Sequence, residues 1–275
     1  MPQGPGSSKM STAPLIAYDQ VSKSFNGGAD TGRVVAVDDV SLEVSAGEFL
    51  AIVGSSGSGK TTLLRLANRL IEADQGRITV EGQDVRSLDP AVLRRRIGYV
   101  FQSGGLFPHM SVAANIGVTP KLLGTSSEDI SSRVDELLEL VQLDRAKHRD
   151  RLPQELSGGQ RQRVGVARAL AASPRIVLMD EPFGALDPLT RDALGEDYRA
   201  LHQRLALTTV MITHDMTEAL LLADRIGVMR AGKLRALGSP AELFGSSDSY
   251  VAELLRTPRR QAERLSTLLS RDGSA

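Results

Sequence analysis

A phosphate-binding pattern is the strongest constraint that this sequence places on its fold. The run GSSGSGKT, residues 54–61, fits G-x-x-x-x-G-K-[ST]. It follows the apolar run FLAIV and precedes the helix-like run KTTLLRLANRL, a context that a Gly/Ser-rich linker would lack. Glycines let a backbone wrap closely around an anion, and a helix N-terminus adds partial positive charge. We therefore expect a buried strand, an anion-binding loop and a helix in succession.

The order of apolar patterns predicts an α/β domain. Short alternating runs from about Leu15 to Glu48 indicate antiparallel strands with a loop between them. Strand-like runs such as RIGYVFQ, RIVLMDE and TTVMITHD then alternate with helical runs, which is typical of a mainly parallel sheet. The pattern is helical over about 103–173. We expect a domain over 14–245 with a helical insert there, a disordered lead-in over 1–13 and a helical tail over 246–275.

Composition argues against several classes of protein. The chain has 33 Lys+Arg and 33 Asp+Glu, so its zero net charge gives no basic footprint for nucleic acid. It has no cysteine, which excludes a disulfide framework and a thiolate metal site. No apolar run is long enough for a transmembrane helix, and the N-terminal residues lack the apolar segment of a secretory signal. We expect a cytosolic chain.

Two carboxylates follow the apolar run IVLM in RIVLMDEP. The carboxyl end of such a strand lies beside the phosphate loop in a parallel sheet. Asp180 would then hold Mg²⁺, directly or through water, and Glu181 would orient and deprotonate an attacking water. In the loop, Lys60 can reach the β and γ phosphates and Thr61 can ligate the metal. Without the loop, solvated residues at a strand exit would explain the pair equally well.

The run LSGGQ indicates a second anion site. Ser157 and Gln160 match a capping box, so a well-capped helix is the simpler interpretation. Capping does not explain Gly158 and Gly159, which leave bare N–H groups at a positive helix end. One nucleotide triphosphate already has its loop at residues 54–61. The second site would therefore bind a different anion or the nucleotide of another chain.

Together these motifs resemble the ATP-binding subunit of ABC transporters. The phosphate loop, Gln102 at a strand end, LSGGQ, EPFGALD and ITHD occur in the family's order and spacing, and the resemblance covers roughly residues 15–245. It implies a P-loop NTPase core with a mainly parallel sheet, an N-terminal antiparallel β subdomain and an inserted helical subdomain. It also implies a head-to-tail dimer in which each ATP lies between one subunit's phosphate loop and the other's LSGGQ.

The resemblance assigns roles to individual residues. Glu181, His214 and Gln102 are the expected catalytic group, with His214 contacting the γ-phosphate. Mg²⁺ is expected at Thr61, Gln102 and Asp180. Phe25 matches the aromatic residue that stacks on adenine, although a strand-core role is an alternative. The expected ATP-binding residues are Phe25, Gly54, Ser55, Gly57, Ser58, Gly59, Lys60, Thr61, Thr62, Ser157, Gly158, Gly159, Gln160 and Asp187.

The resemblance also implies partners. ATP and Mg²⁺ are the expected cofactors, and a second copy of the chain, transmembrane permease subunits and a substrate-binding protein are the expected partners, at the cytoplasmic face of the membrane. In the family a permease helix docks near Gln102, and we expect QSGGLFPHMSV, with Leu106, to form part of that groove. A DNA- or ribosome-acting ATPase of this type is less favoured, because such relatives carry a long coiled coil or two cassettes. Adenylate-kinase-like chemistry would not need LSGGQ.

The expected cargo is a quaternary-ammonium osmoprotectant such as glycine betaine or choline. The runs QSGGLFPHMSVAANIGVTPKLLG and YVAELLRTPRRQAERLSTLL resemble the ATPases of such importers. Many of those ATPases carry a C-terminal pair of CBS repeats. This chain ends about 30 residues after SPAELF, so we do not expect osmotic gating through such repeats here. Amino acids, sulfonates and lipids stay open as other cargoes, because the ATPase motifs do not contact the solute.

Overall fold

The computed structural model describes residues 13–26, 32–102 and 105–272. The expected lead-in over 1–13 therefore lies, except for its last residue, outside the described residues. The strands are β1 Ile16–Asn26, β2 Arg33–Val44, β3 Phe49–Val53, β4 Gln75–Val80, β5 Gln83–Asp84, β6 Ile97–Val100, β7 Ile176–Asp180, β8 Thr208–Thr213, β9 Arg225–Arg230 and β10 Lys233–Gly238. The α-helices are α1 Lys60–Ala67, α2 Pro90–Arg96, α3 Val112–Leu122, α4 Ser127–Leu140, α5 Arg145–His148, α6 Gly158–Leu170, α7 Pro188–Arg204, α8 Met216–Leu222, α9 Pro240–Phe244 and α10 Ser249–Asp272.

The strands form two sheets. One is antiparallel, with the order β2-β1-β4-β5, so the short hairpin of β4 and β5 joins the two N-terminal strands. The other has the order β10-β9-β3-β8-β7-β6 and is parallel except for the pairing of β10 with β9. Helices α3 to α6 lie between β6 and β7 in the chain. The expectation of an α/β fold with a mainly parallel sheet is confirmed.

The strands at the centre of the parallel sheet are buried on both faces. Every residue of β3, β7 and β8 is buried, as their continuous apolar runs predict. Alternate residues of β3 point to opposite sides. Phe49 and Ala51 join the core cluster that includes residues of α3, α4, α6, α7 and α8, while Leu50 and Ile52 join the cluster that includes residues of α1 and the antiparallel sheet. The two cores therefore hold this sheet, and with it the strand ends, in a fixed position.

A buried amide fixes the segment that follows β6. The Asn115 side chain is fully buried; it accepts a hydrogen bond from the Phe107 backbone N–H at 2.8 Å and donates to the backbone oxygens of Phe107 and Met110 at 3.1 and 3.0 Å. Buried polar groups that find such partners specify one backbone conformation. The part of the expected permease-docking groove around Phe107 and Met110 is thus held by α3. In the described part of the chain, no helix is both long and apolar enough to cross a membrane.

A buried carboxyl lies behind the end of β8. The Thr213 hydroxyl donates a hydrogen bond to Glu218 Oε2 and accepts one from the Asp215 backbone N–H at 3.0 Å. Glu218 is 8% exposed, and its other oxygen, Oε1, has no hydrogen-bond partner among the described residues. Burial, with a smaller contribution from the Asp215 charge, raises the pKa of Glu218 to about 7.

Replacing Glu218 by Gln should remove a pH dependence of stability. The folded-state pKa of about 7 lies above the ordinary value of 4.5, so the native state binds the proton more tightly than the unfolded chain. This stabilisation is complete below about pH 4.5 and is lost as pH rises toward 7, at roughly 1.4 kcal/mol per pH unit. Gln keeps an acceptor for Thr213 and does not titrate. The variant should therefore gain stability relative to the parent between pH 5 and 8.

Urea unfolding at pH 5, 6, 7 and 8, followed by circular dichroism, measures this difference. Glu253→Gln, at an exposed position of α10, is the matched control and should leave the pH profile unchanged. A stability difference between the Glu218→Gln variant and the parent that is the same at every pH would contradict the assignment.

Candidate functional site

The phosphate loop connects β3 to α1, and its glycines are required by close neighbours. A Cβ added at Gly54 would lie 2.2 Å from the Met229 carbonyl oxygen, and one at Gly59 would lie 2.0 Å from the Ala36 carbonyl oxygen. Gly59 also has a φ of 102°, a left-handed conformation that other residues rarely adopt. The sequence suggested glycines for wrapping an anion. The structure adds that β2 and β9 leave no room for side chains at these two positions.

Lys60 begins α1 and its ammonium group lies within the loop. It donates hydrogen bonds to the carbonyl oxygens of Gly54 at 2.8 Å and Ser55 at 3.0 Å. The residue is 5% exposed, and burial lowers the pKa of Lys60, while the charges of Glu181 and Asp180 oppose that shift. An ammonium group has three donors, so one remains for a further acceptor. This donor could bind a phosphate oxygen.

Asp180, at the end of β7, lies beside the start of α1. It accepts a hydrogen bond from the Thr61 hydroxyl at 3.3 Å and another from the Tyr99 hydroxyl at 3.2 Å, and Arg65 forms an ion pair with it at 3.4 Å. Sequence reasoning missed Tyr99 and Arg65. Arg65 could have been found, because it lies four residues after Thr61 on the same helical face. Burial raises the pKa of Tyr99, so its hydroxyl keeps its proton and stays a donor.

Three expected catalytic side chains meet at one oxygen atom. Gln102 Nε2 donates a hydrogen bond to Glu181 Oε2 at 3.0 Å, and His214 Nδ1 lies 3.2 Å from the same oxygen. The groups follow β6, β7 and β8, which are neighbours in the sheet. Glu181 has a φ of 45°, a left-handed conformation that costs energy in a non-glycine residue. Such strain is concentrated at functional sites, and here it turns the chain directly after Asp180.

The LSGGQ segment forms the start of α6 and is capped as its sequence predicts. Gln160 N–H donates to the Ser157 hydroxyl at 3.2 Å, and Ser157 N–H donates to Gln160 Oε1 at 2.9 Å. A Cβ added at Gly159 would lie 2.7 Å from Thr190 Cγ2, so a side chain at this position would have to displace Thr190 of α7. Gln160 Nε2 lies 3.3 Å from His148 Nε2. These contacts connect the segment to α5 and α7 and not to the phosphate loop.

The remaining expected ATP-binding residues lie in several elements. Asp187 caps α7 by accepting from the Thr190 N–H at 3.1 Å, and its hydrogen bonds to Thr190 lower the pKa of Asp187. Phe25 lies in β1 opposite Val34 and is 41% exposed, so the alternative of a strand-core role is wrong. Gly57, with a φ of 76°, and Ser58 lie in the loop, Thr62 lies in α1, and Gly158 begins α6.

Most of the chain is similar in sequence to named transport ATP-binding proteins. It is 47% identical, over 89% of its length, to the glycine betaine/carnitine/choline transport ATP-binding protein OpuCA of Bacillus subtilis, of which it spans 63%. It is 49% identical over 84% of its length to the glycine betaine uptake system ATP-binding protein YehX of Escherichia coli, of which it spans 72%. A sulfate/thiosulfate import ATP-binding protein of Synechococcus elongatus is 48% identical over 83% of the chain and 64% of its own length. The chain thus spans less than two thirds of the first and third of these relatives.

A solved structure supports the same assignment. A dimeric ATP-binding cassette in a post-hydrolysis state, bound to ADP and Pi, superposes with a TM-score of 0.74 at 30% sequence identity, covering 82% of this chain and 99% of that one. The family model described as ABC transporter matches residues 37–184. That range runs from β2 through the phosphate loop and LSGGQ to the carboxylates after β7. The chain belongs to the ABC transporter family.

Proposed function

We propose that this chain is the ATP-hydrolysing subunit of an ABC importer and that it acts as a dimer. The observation that carries the proposal is the meeting of Gln102, Glu181 and His214 at one carboxylate oxygen, next to the phosphate loop. Lys60 lies within the loop, and the charges of both Asp180 and Glu181 act on it. Glu181 would supply the general base, Gln102 and His214 would orient it, and Lys60 would bind the anion.

ATP would bind with its phosphates in the loop that joins β3 to α1. The loop N–H groups and Lys60 would hold the β and γ phosphates, and the start of α1 would add partial positive charge. Mg²⁺ prefers oxygen ligands. The Thr61 hydroxyl and the Asp180 carboxylate, 3.3 Å apart, supply such oxygens, and the Gln102 amide oxygen would be a third. The metal would neutralise charge on the phosphates, while Lys60 and the backbone keep them in place.

Glu181 would act as the general base. Its oxygen Oε2 is held by Gln102 and His214, and we assign Oε1 to the attacking water. The water oxygen would bond to the γ-phosphorus as the bond to the ADP oxygen breaks, and the water proton would pass to Glu181. His214 would contact the γ-phosphate from the end of β8. The buried pair of Thr213 and Glu218 fixes the backbone on either side of this histidine.

The second half of the site would come from another copy of the chain. Gln160 contacts His148 of α5, and Gly159 lies against Thr190 of α7. The backbone N–H groups of Gly158 and Gly159, at the start of α6, would bind the γ-phosphate held by the partner, and Asp187 would contact the partner. The exposed ring of Phe25 would stack on adenine. The similar cassette of known structure is a dimer, which supports this arrangement. Binding and hydrolysis would then close and open the dimer.

The cargo that we propose is a quaternary-ammonium osmoprotectant such as glycine betaine or choline. Two of the three relatives described above carry names of that kind. Sulfate or thiosulfate is the second candidate, because a relative with that designation is about as similar to the chain. Permease subunits would pass the motion across the membrane, with a substrate-binding protein delivering the solute. The chain itself would lie at the cytoplasmic face.

Replacing Glu181 by Gln should separate ATP binding from hydrolysis. The amide keeps the size of the side chain and cannot take a proton, so turnover should fall by roughly 10²–10⁴-fold, while ATP still drives dimerisation. Replacing Lys60 by Ala should weaken ATP binding by about 10–100-fold, since a charged hydrogen bond contributes roughly 1.5–3 kcal/mol. Phosphate release measures turnover, calorimetric titration measures the affinity for ATP, and light scattering measures dimerisation.

Glu128→Gln, at an exposed position of α4, is the control and should behave like the parent. Hydrolysis at the parental rate by the Glu181→Gln protein would show that another group is the base.

Uptake of labelled glycine betaine tests the cargo. Cells that express the whole transporter with the parental chain should accumulate the solute, and cells with the Glu181→Gln chain should not, because transport needs hydrolysis. Labelled sulfate and thiosulfate are the parallel substrates. If the cells with the parental chain and the cells with the Glu181→Gln chain took up glycine betaine equally, this cargo would be excluded. The ATPase assignment would stand, provided that the variant is shown to be assembled and inactive as an ATPase.

A further inference from the structure

The phosphate loop donates a hydrogen bond to the C-terminal helix. The Ser55 backbone N–H donates to the Tyr250 hydroxyl at 3.0 Å, across 195 residues of sequence. The carbonyl oxygen of Ser55 accepts a hydrogen bond from Lys60 Nζ at 3.0 Å. One residue of the loop thus connects the first turn of α10 to the lysine that we assign to the phosphates. Because this contact lies in the loop, a change in the position of α10 would act directly on the ATP site.

Tyr250 is itself held firmly by its surroundings. The Asp248 side chain accepts the Tyr250 N–H at 2.8 Å and forms an ion pair with Arg235 of β10 at 2.9 Å. The Arg230 guanidinium, at the end of β9, lies 4.6 Å from the centroid of the Tyr250 ring. The next residue, Val251, is fully buried in the same core as β3. The position of the hydroxyl therefore depends on how α10 docks against β9 and β10.

Contacts from β9 and α10 hold the phosphate loop in place. β9 already limits it from one side, because a Cβ at Gly54 would meet the Met229 oxygen. A glycine-rich backbone loses more conformational entropy on ordering than other backbone does. A binding loop that is already ordered therefore binds its ligand more tightly, because ligand binding does not have to order it. The Tyr250 hydroxyl fixes the peptide directly after Gly54. Its removal would leave the loop to be ordered by ATP.

We propose that Tyr250 is a positioning residue for the phosphate loop, through which the docking of the C-terminal helix sets the affinity for ATP. The inference rests on the proposed function of the loop as an ATP site. By linkage the effect is reciprocal: ATP bound in the loop should stabilise the start of α10 by the same free energy. A partner that moved α10 would therefore raise or lower ATP affinity without touching the nucleotide.

Replacing Tyr250 by Phe separates positioning from simple packing. Phe keeps the ring, its burial and its contact with Arg230, and it removes only the hydroxyl. A neutral hydrogen bond contributes about 1 kcal/mol, so the dissociation constant for ATP should rise about 5-fold. KM for ATP should rise by a similar factor, with a much smaller change in kcat, because Tyr250 does not contact the reacting atoms. The melting temperature should change little.

The dissociation constant is measured by calorimetric titration with Mg-ATP, using the full chain with the Glu181→Gln substitution to prevent turnover. Hydrogen exchange of the peptide that covers residues 54–59 reports the loop directly and should be faster in the Phe variant before ATP is added. Tyr198→Phe is the matched control. It also removes a buried hydroxyl, which is 2.9 Å from Thr209 Oγ1, but Tyr198 lies in α7. It should lower the melting temperature and leave the affinity for ATP unchanged.

Asp248→Ala tests the role of the helix itself. It removes the cap of α10 and the partner of Arg235 while keeping the Tyr250 hydroxyl, so it should weaken ATP binding in the same direction as Tyr250→Phe. Equal ATP affinity and equal exchange of residues 54–59 in the parent and the Tyr250→Phe variant would overturn the inference. Absence of ATP binding by the Glu181→Gln parent would instead overturn the proposed function, and this inference with it.

Discussion

The in-register pairing of parallel strands is the constraint on which the site depends. β3 pairs with β8 so that Val53 lies opposite Thr213, and β8 pairs with β7 so that Ile212 lies opposite Asp180. The strands therefore end at the same edge of the sheet, and the residues that follow them must meet there. A shift of one residue in either pairing would turn every buried side chain of that strand to the other face, and both apolar cores oppose it.

Burial at this edge gives the polar groups their properties. Lys60 lies among carbonyl oxygens and close to two carboxylates, where low exposure strengthens every electrostatic interaction. Behind the next strand, the buried Glu218 fixes the backbone around His214 through Thr213. Neutral hydrogen-bonded side chains such as Asn115 hold the segments that leave the sheet. The exposed groups, Phe25 and the start of α6, are those for which we propose ligands or a partner. The buried polar groups are thus held by contacts within one chain, whereas the exposed groups are available to a ligand or a partner.

Local patterns predicted the fold class, the phosphate loop and the two carboxylates, whereas Gln102 and His214 came from the family resemblance. Local sequence is enough to predict the strand at FLAIV, the phosphate loop and the strand at IVLMD. Apolar runs, glycines and helix starts determine backbone conformation over only a few residues. The contacts of Tyr99 with Asp180 and of Tyr250 with Ser55 could not be predicted, because they depend on docking between elements that are distant in sequence. Gly159 shows a third case: its capped helix was predicted, but its close contact with the Thr190 side chain of α7 was not. These details depend on the tertiary packing of β6 against β7, of α10 against the phosphate loop and of α7 against α6, which no local pattern encodes.

In the dimer that we propose, a second copy of the chain completes each ATP site. Because the sequence has no cysteine, one Ser56→Cys chain and one Ser157→Cys chain, both with Glu181→Gln, can be mixed and treated with a short thiol-specific crosslinker. We expect a crosslinked dimer of the two different chains that forms with Mg-ATP and not without nucleotide. Two chains that both bind ATP by calorimetry but give no ATP-dependent crosslink would contradict it.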